Sequence, residues 1–519
     1  MEFLLGLRLA MVALVCSMIG KLLYECYLVP KRVYRRLRAN RFPGPDPSFP
    51  LGNLKEMKRR TIEVRSSVDG SSERIVCHDI HAGALPYFAH WQKLHGKVFI
   101  YWMGTEPFLY IAEPEFLKEV SGQVLAKQWG KPAVFRSDRT PMFGEFGLNM
   151  IEGDAWVHHR HITTPAFSPG NLKGMVNLMV ESTEKMIDHW NATITISGET
   201  SMDVEKEITA LAGEIIAKTN FGLNDEAGKI LLDKLRAMQA SLFKHTRYVG
   251  VPFGNLLCLK QTLEARKLGK EVDELLIKII NARKKLIGVE PQHDLLGLLL
   301  GGRHDANGKF SKNLTTRELI DECKTFFFGG HETVALAMTW SLLLLAIHPK
   351  WQDELRQEIE EVIGDTEMDI TLLARLKKMG WVMNEVLRLY PSSPNAQRQA
   401  RSDIKVGDIV IPSGTNIWID VVGMHHDRDL WGDDVNEFRP ERFSEDLNGG
   451  CKHKMGYLPY GFGGRMCIGR NYAIMEYKIV LALLLRKFSC SLSPDYHHSP
   501  TYFFSFRPKF GVPLVVKPL

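Results

Sequence analysis

Pro459-Tyr-Gly-Phe-Gly-Gly-Arg-Met-Cys-Ile-Gly469 sets a single cysteine, Cys467, in a loop with four glycines, and helix-like sequence follows at once. Glycines let a backbone approach something flat or bulky, because no Cβ intervenes. Arg465 and the N-terminus of the following helix both favour negative charge on the sulfur, which pushes Cys467 towards thiolate. A thiolate held this way is a soft ligand for iron. For a lone cysteine a buried position in a turn is the commoner explanation, so the surroundings decide.

The chain has 519 residues, 45% hydrophobic and 24% charged, ample material for a large core and, at ~150 residues per domain, for about three domains. Eight Lys/Arg against two Glu in residues 1–41 account for the whole net charge of +6. The remainder is neutral, which argues against a protein-wide nucleic-acid-binding field. The eight cysteines (Cys16, Cys26, Cys77, Cys258, Cys323, Cys451, Cys467, Cys490) form neither a CxxC pair nor a zinc-ribbon spacing. Such scatter fits free thiols facing a reducing cytosol.

Residues 3–29 are mostly apolar, interrupted by Arg8, Lys21 and Glu25. The longest charge-free window, Leu9–Gly20, is shorter than the ~20 residues of a clean membrane span, but Lys21 and Glu25 can pair on one helix face. Lys31, Arg32, Arg35, Arg36, Arg38 and Arg41 follow, and a basic cluster after the apolar run stays cytosolic. A cleaved signal peptide has its basic residues before the apolar run. The expectation is an uncleaved signal anchor over residues 1–30, a basic and Pro/Gly-rich linker over 31–53, and one domain over 54–519. Four prolines make Phe42–Asn53 a stiff, non-helical linker. Arg59–Gly83 is polar and serine-rich and reads as a loop. Beyond it, Trp91 belongs to a helix, and Val98–Tyr101 and Phe108–Ile111 read as strands broken by Gly104 and Pro107. Helical periodicity dominates about 170–385, as in Met175–Trp190, Val204–Asn220 and Leu256–Ile287, with a helix stop at Asn220-Phe-Gly222.

Phe326-Phe-Phe-Gly-Gly-His-Glu-Thr333 lies within the apolar helix Leu319–Ile347. Two adjacent glycines there cost about 1 kcal/mol each relative to alanine, and close approach of a ligand would offset the loss. Thr333 can bond back to a carbonyl one turn earlier, and Glu332 offers a carboxylate for proton transfer. His331 lacks a second metal ligand at i+4, so it reads as a helix-surface or hydrogen-bonding residue. Glu385 and Arg388 stand three apart on one helix face, a spacing that is common and weak on surfaces. Phe438-Arg-Pro-Glu-Arg442-Phe443 adds an arginine in a proline-stiffened turn. Trp156 and Arg160, four apart, suit the grip of an anionic group.

Together, and in this order along the chain, these motifs resemble a cytochrome P450. The haem-binding pattern of that family falls on Tyr460, Gly463, Arg465, Cys467 and Gly469. The resemblance implies a mainly α fold with small β-sheets, a single haem-thiolate domain behind an N-terminal membrane anchor helix. It implies haem b with Cys467 as the axial iron ligand and Arg465 on a propionate. Gly329–Thr333 matches the oxygen-activating motif, making Glu332 and Thr333 the catalytic pair. Trp156 and Arg160 match a propionate-binding motif, Arg398 and His425 stand where further propionate contacts occur, and Glu385–Arg388 would lock to Arg442. The anchor and linker match the microsomal branch: a single-pass protein of the endoplasmic reticulum membrane with its catalytic domain cytosolic, taking O2 and electrons from NADPH through NADPH-cytochrome P450 reductase. Tyr460 replaces a usual phenylalanine, and His161 a frequent second arginine.

His78-Asp79, Leu85-Pro-Tyr-Phe, Trp91 and Gly-Gly-His-Glu-Thr are similar to the plant clan whose members oxidise cytokinins, gibberellins, brassinosteroids and other terpenoids. That implies hydroxylation of a lipophilic small molecule. A haem-thiolate isomerase or dehydratase would not need the Glu332-Thr333 pair, and a non-catalytic membrane haem-binding protein would need neither motif. Phe326–Phe328 wall a pocket or pack helices. Ser392, Ser393 and Asn395 are available to orient a substrate. Lys452, Lys454 and Arg470 flank the cysteine loop, either as a dock for an acidic reductase or as solvated surface.

Overall fold

A computed structural model describes residues 2–69, 76–123, 129–198, 200–223, 225–243, 248–254, 258–286, 294–301 and 314–519. Its spine is the helix Thr316–Ile347. Thr315 Oγ1 accepts the Glu318 N–H (3.2 Å) while the Glu318 carboxylate accepts the Thr315 N–H (2.7 Å), a reciprocal cap that fixes the start. From Leu319 to Ala346 nearly every residue of the helix is buried, apolar and polar alike, so it is enclosed by other elements on all sides. It is long and apolar enough to cross a membrane, yet 83% of its apolar window is buried, so it is a core helix. Between Leu319 and Ala346 only Thr325, Gly329, Gly330 and Thr333 are not buried, and all four line one internal cavity of about 420 Å³.

Helix Val204–Phe221 runs along this spine and ends where expected: Gly222 takes φ 57°, with Gly222 and Leu223 N–H donating to Lys218 and Ala217. Helix Arg470–Lys487 follows the cysteine loop and packs against both the spine and helix Val176–Ser197. Helix Leu259–Lys284 matches the expected Leu256–Ile287 segment, whose residues 256, 257 and 287 lie outside the described residues.

The strands gather mostly in one sheet. Val98–Met103 and Glu106–Ile111 form an antiparallel hairpin, Glu106–Ile111 pairs in parallel with Asn416–Asp420, and Asn395–Ala400 joins that strand antiparallel, followed by Trp129–Gly130. This sheet delivers residues 395–398 to the cavity. A three-stranded sheet ties Ser201–Asp203 to the C-terminal strands Phe488–Leu492 and Pro513–Pro518.

Two expectations change at the N-terminal end. The helical run does not stop at residue 30: Glu2–Leu23 continues through a π-helical turn, Tyr24–Leu28, into Val29–Ala39. Lys31–Arg38 therefore ride on a helix whose Pro30 and Leu37 are buried, and only 40–53 is non-helical. That segment is clasped to a strand: Ile100 N–H donates to Pro43 O, Asn53 N–H donates to Trp102 O, and Trp102 N–H donates to Asn53 Oδ1, the last two at 2.9 Å. The Arg59–Gly83 stretch is not all loop either. Leu54–Asp69 is a helix, free of Gly and Pro, with Arg59 and Arg60 paired to Glu63 on its exposed side and Met57 against the core; residues 70–75 lie outside the described residues.

Candidate active site

The cysteine loop closes on itself through the Cys467 N–H, which donates to Tyr460 O at 2.9 Å. Gly461 and Gly463 adopt φ 75° and 63°, the left-handed region that glycine reaches without strain. Gly469 is the N-cap of helix Arg470–Lys487. Cys467 has open surface, and it lines the cavity. Burial among protein atoms pushes its thiol up, while the Gly469 N–H, Arg160 and Arg470 pull it back. The net direction is opposite to the sequence expectation, and the helping arginines are not Arg465. Arg465 instead stacks on Trp156 (4.5 Å) and donates to Ile151 O (3.0 Å). A coordinating metal deprotonates a thiol outright, whatever its free value.

Beside the cysteine loop stands a cluster of cations. Arg465 keeps Nε and Nη2 buried without a partner. Among the described residues the Arg398 side chain donates only to Gln397 O, and that of Arg160 only to Met466 O. Burial pulls both Arg398 and Arg465 down to about 10. Lys131, not foreseen from sequence, joins them; burial and then Arg398, Arg139 and Arg465 hold its amine well below the usual lysine range. Glu152, an acid that acts on Arg465, is itself bonded twice to Arg401. Unpaired buried cations are costly, so this set calls for anionic groups. With Trp156, also on the wall, it fits the two propionates of a haem, and Phe167, Val334 and Ala337 give the same cavity apolar lining for the rest of that group.

The opposite wall belongs to the spine helix. Gly329 is open: a Cβ there would meet nothing within 4 Å. Gly330 is different, because its Cβ would stand 2.3 Å from Ile216 Cδ1, so this glycine serves helix packing rather than a ligand. Thr333 Oγ1 donates back to Gly329 O (3.0 Å), and the helix nevertheless runs on unbroken. Ser392 Oγ donates to Thr333 O (2.8 Å). Phe326 and Phe328 face the cavity, whereas Phe327 packs on Phe221.

Three expected site residues lie off the cavity wall. Glu332 is buried and clamped by Arg507 (3.0 Å), Ser505 and Gln239 (2.8 Å). Burial opposes its charge, but Arg507 prevails and keeps it below the usual glutamate value. His425 accepts the Leu458 N–H at 3.0 Å, steadying the approach to the cysteine loop, and burial lowers it to about 3. Gly463 contributes backbone shape. His331 is buried, not on the surface, with Nδ1 at Phe327 O (2.8 Å). The Tyr460 hydroxyl is buried without a partner, and Arg470 lies over its ring.

Behind the loop, Arg388 and Glu385 are fully buried and joined by two bonds of 2.7 and 2.8 Å. Arg388 also donates to the carbonyls of His425, Val435 and Glu437, while Glu385 accepts from the Arg439 N–H and, at 3.4 Å, from Arg442. The pair thus gathers three segments of the cysteine side of the molecule.

A helical haem-thiolate fold with this site defines a class, and comparison with known proteins agrees. The family model described as Cytochrome P450 matches residues 80–512, so the chain belongs to the cytochrome P450 family. It is 38% identical to a cytokinin hydroxylase of Arabidopsis thaliana over 98% of this chain and 97% of that protein. It is 35% identical to the 11-oxo-beta-amyrin 30-oxidase of Glycyrrhiza uralensis over 97% and 95%. A retinoic acid-bound cyanobacterial P450 superposes with a TM-score of 0.70 at 22% identity, covering 82% of this chain and 93% of its own, a likeness of fold. The protein is a P450 monooxygenase of the kind found in the plant hormone and terpenoid clan.

Proposed function

We propose that this protein is a monooxygenase, anchored in the endoplasmic reticulum membrane, that hydroxylates a lipophilic molecule of the plant-hormone or terpenoid kind. NADPH supplies the electrons through a partner reductase. One observation carries the reading: a single cavity has Cys467 and the cations on one side and Gly329, Thr333 and aromatic side chains on the other. Held by Cys467, haem supplies the activation of O2, and a thiolate ligand favours O–O cleavage.

The chain's own residues do the rest. Trp156, Arg160, Arg398 and Arg465 bind the propionates, with Lys131 beside them. His425 and Gly463 act from behind the wall, one on the approach to the loop and one on its turn. Thr333 Oγ1 gives its hydrogen to Gly329 O, which leaves its lone pairs free to accept a proton-bearing group from the cavity. Glu332 joins that path only when the Arg507 clamp opens. Phe143, Phe328 and Phe504 exclude water. Lys452, Lys454 and Arg470 are exposed around the cysteine loop and suit an acidic reductase. The exposed apolar helix Glu2–Leu23 with basic residues after it supports an anchor whose catalytic domain faces the cytosol.

The test is metabolite profiling of cells producing the protein with a reductase, against Cys467→Ser. The expected result is an NADPH-dependent product with one added oxygen that the variant does not make. Equal product from the variant would contradict the proposal.

A further inference from the structure

Arg139 lines the same cavity, and among the described residues it has no ion-pair partner. It comes from helix Arg136–Phe143 and is buried, 8% exposed. One N–H goes to Gln397 Oε1, and Nε is buried with no partner. The guanidinium lies over the Phe135 ring (4.6 Å) and 5.9 Å from that of Phe504. Burial pulls it down to about 10, so it remains a cation at neutral pH. Among the described residues no carboxylate forms an ion pair with it. A buried guanidinium cannot shed its charge and destabilises the fold until something anionic pairs with it.

Arg139 borders the propionate cluster, since it acts on Lys131 as Arg398 and Arg465 do, but the groups that act on Arg139 itself are Tyr502 and Asp138, and its guanidinium turns to the aromatic wall. Arg465 leans on Trp156; Arg139 leans towards Phe504, which packs on Phe143 and Phe328 in the apolar wall. From Gln397 a polar strip runs on: its Nε2 donates to Asn395 Oδ1 (2.9 Å), and Asn395 Nδ2 donates to Tyr502 OH (3.0 Å). This strip fixes the partner Arg139 already has, while Nε stays without one among the described residues.

We propose that Arg139 is a specificity-determining residue: the substrate is an apolar molecule bearing an anionic oxygen group that docks on Arg139. One guanidinium matches the single charge of a carboxylate in paired, charge-assisted hydrogen bonds, and a phosphate ester shares that chemistry. The apolar body then lies against Phe143, Phe328 and Phe504. That the ligand is the substrate rests on the monooxygenase reading; that it binds does not.

The test uses the haem-loaded enzyme in detergent, without NADPH or reductase, and equilibrium dialysis. The probes are dodecanoic acid and dehydroabietic acid, each against its methyl ester, with dodecyl phosphate as a third head group. The acids should bind about tenfold tighter than the esters. Arg139→Gln should erase that preference at unchanged haem content, and Arg139→Lys should keep part of it. Tighter binding of dodecyl phosphate, equally dependent on Arg139, would make phosphate the head group. With no probe present, Arg139→Met should raise the thermal midpoint by removing an unpaired buried charge. The proposal is overturned by the lack of any acid preference (no binding included), by a preference that survives Arg139→Gln, by haem loss from that variant, or by an unchanged or lower midpoint in Arg139→Met. An acid preference in an enzyme that makes no oxygenated product would leave this inference standing and remove the monooxygenase reading instead.

Discussion

Glu332 and Thr333 are neighbours in the chain and stand about 100° apart around the helix, and Glu332 is turned away from the cavity towards Arg507. Thr333 faces the cavity. Thr333→Ala should therefore keep haem but release more reducing equivalents as hydrogen peroxide, measured against NADPH consumed; fully coupled turnover would remove the hydroxyl's role. The two glycines separate in the same way. Gly329→Ala adds a methyl group to open space and should raise the thermal midpoint, by up to about 1 kcal/mol of helix propensity. Gly330→Ala drives a methyl group into Ile216 and should lower it, because overpacking costs about 1–3 kcal/mol. Equal shifts in thermal melts of the two variants would contradict this division. The pairing of Gly and Thr was visible in sequence, and so was the helix. The clamp on Glu332 was not, since Arg507, Ser505 and Gln239 come from segments far away in the chain.

Between elements, ion pairs decide more than their spacing suggested. Glu385 and Arg388 looked like any i,i+3 surface pair; burial and five further bonds make them a joint. Removing one partner of a buried pair costs about 3–5 kcal/mol. Glu385→Ala should fail to accumulate as folded haem protein, and normal haem incorporation by absorbance would count against it. A second joint ties helix Gly153–Thr163 to the spine: His159 Nδ1 lies 2.6 Å from Glu322, and Nε2 3.6 Å from Glu318. Burial opposes a charged ring, but Glu322 and Glu318 outweigh it and raise His159; burial also raises Glu322. Both directions mean that the folded pair holds a proton more firmly than the unfolded chain. The His159 share of that stabilisation is thus complete below the free histidine value of 6.5 and is lost as pH rises through the higher folded value, while the Glu322 share is complete only below the free glutamate value of 4.5. The thermal midpoint should fall as pH climbs above 6.5, with a smaller fall in His159→Gln; equal slopes would contradict the assignment.

At the scale of the molecule, the cysteine loop, the spine helix and the helix stop at Gly222 were legible because each is a local pattern. The helix at Leu54–Asp69 was not, because serines near its end masked a run without helix breakers. Lys131 and Arg139 were illegible for another reason: no spacing marks them, and only the folded sheet brings Gln397 and Arg398 beside them. The central claim is that Cys467 ligates haem iron as thiolate at the floor of this cavity. The reduced protein with carbon monoxide tests it most directly. The wild type should give the strongly red-shifted Soret band of a thiolate-bound haem, and Cys467→Ser should lose it. Persistence of that band in the variant would contradict the account.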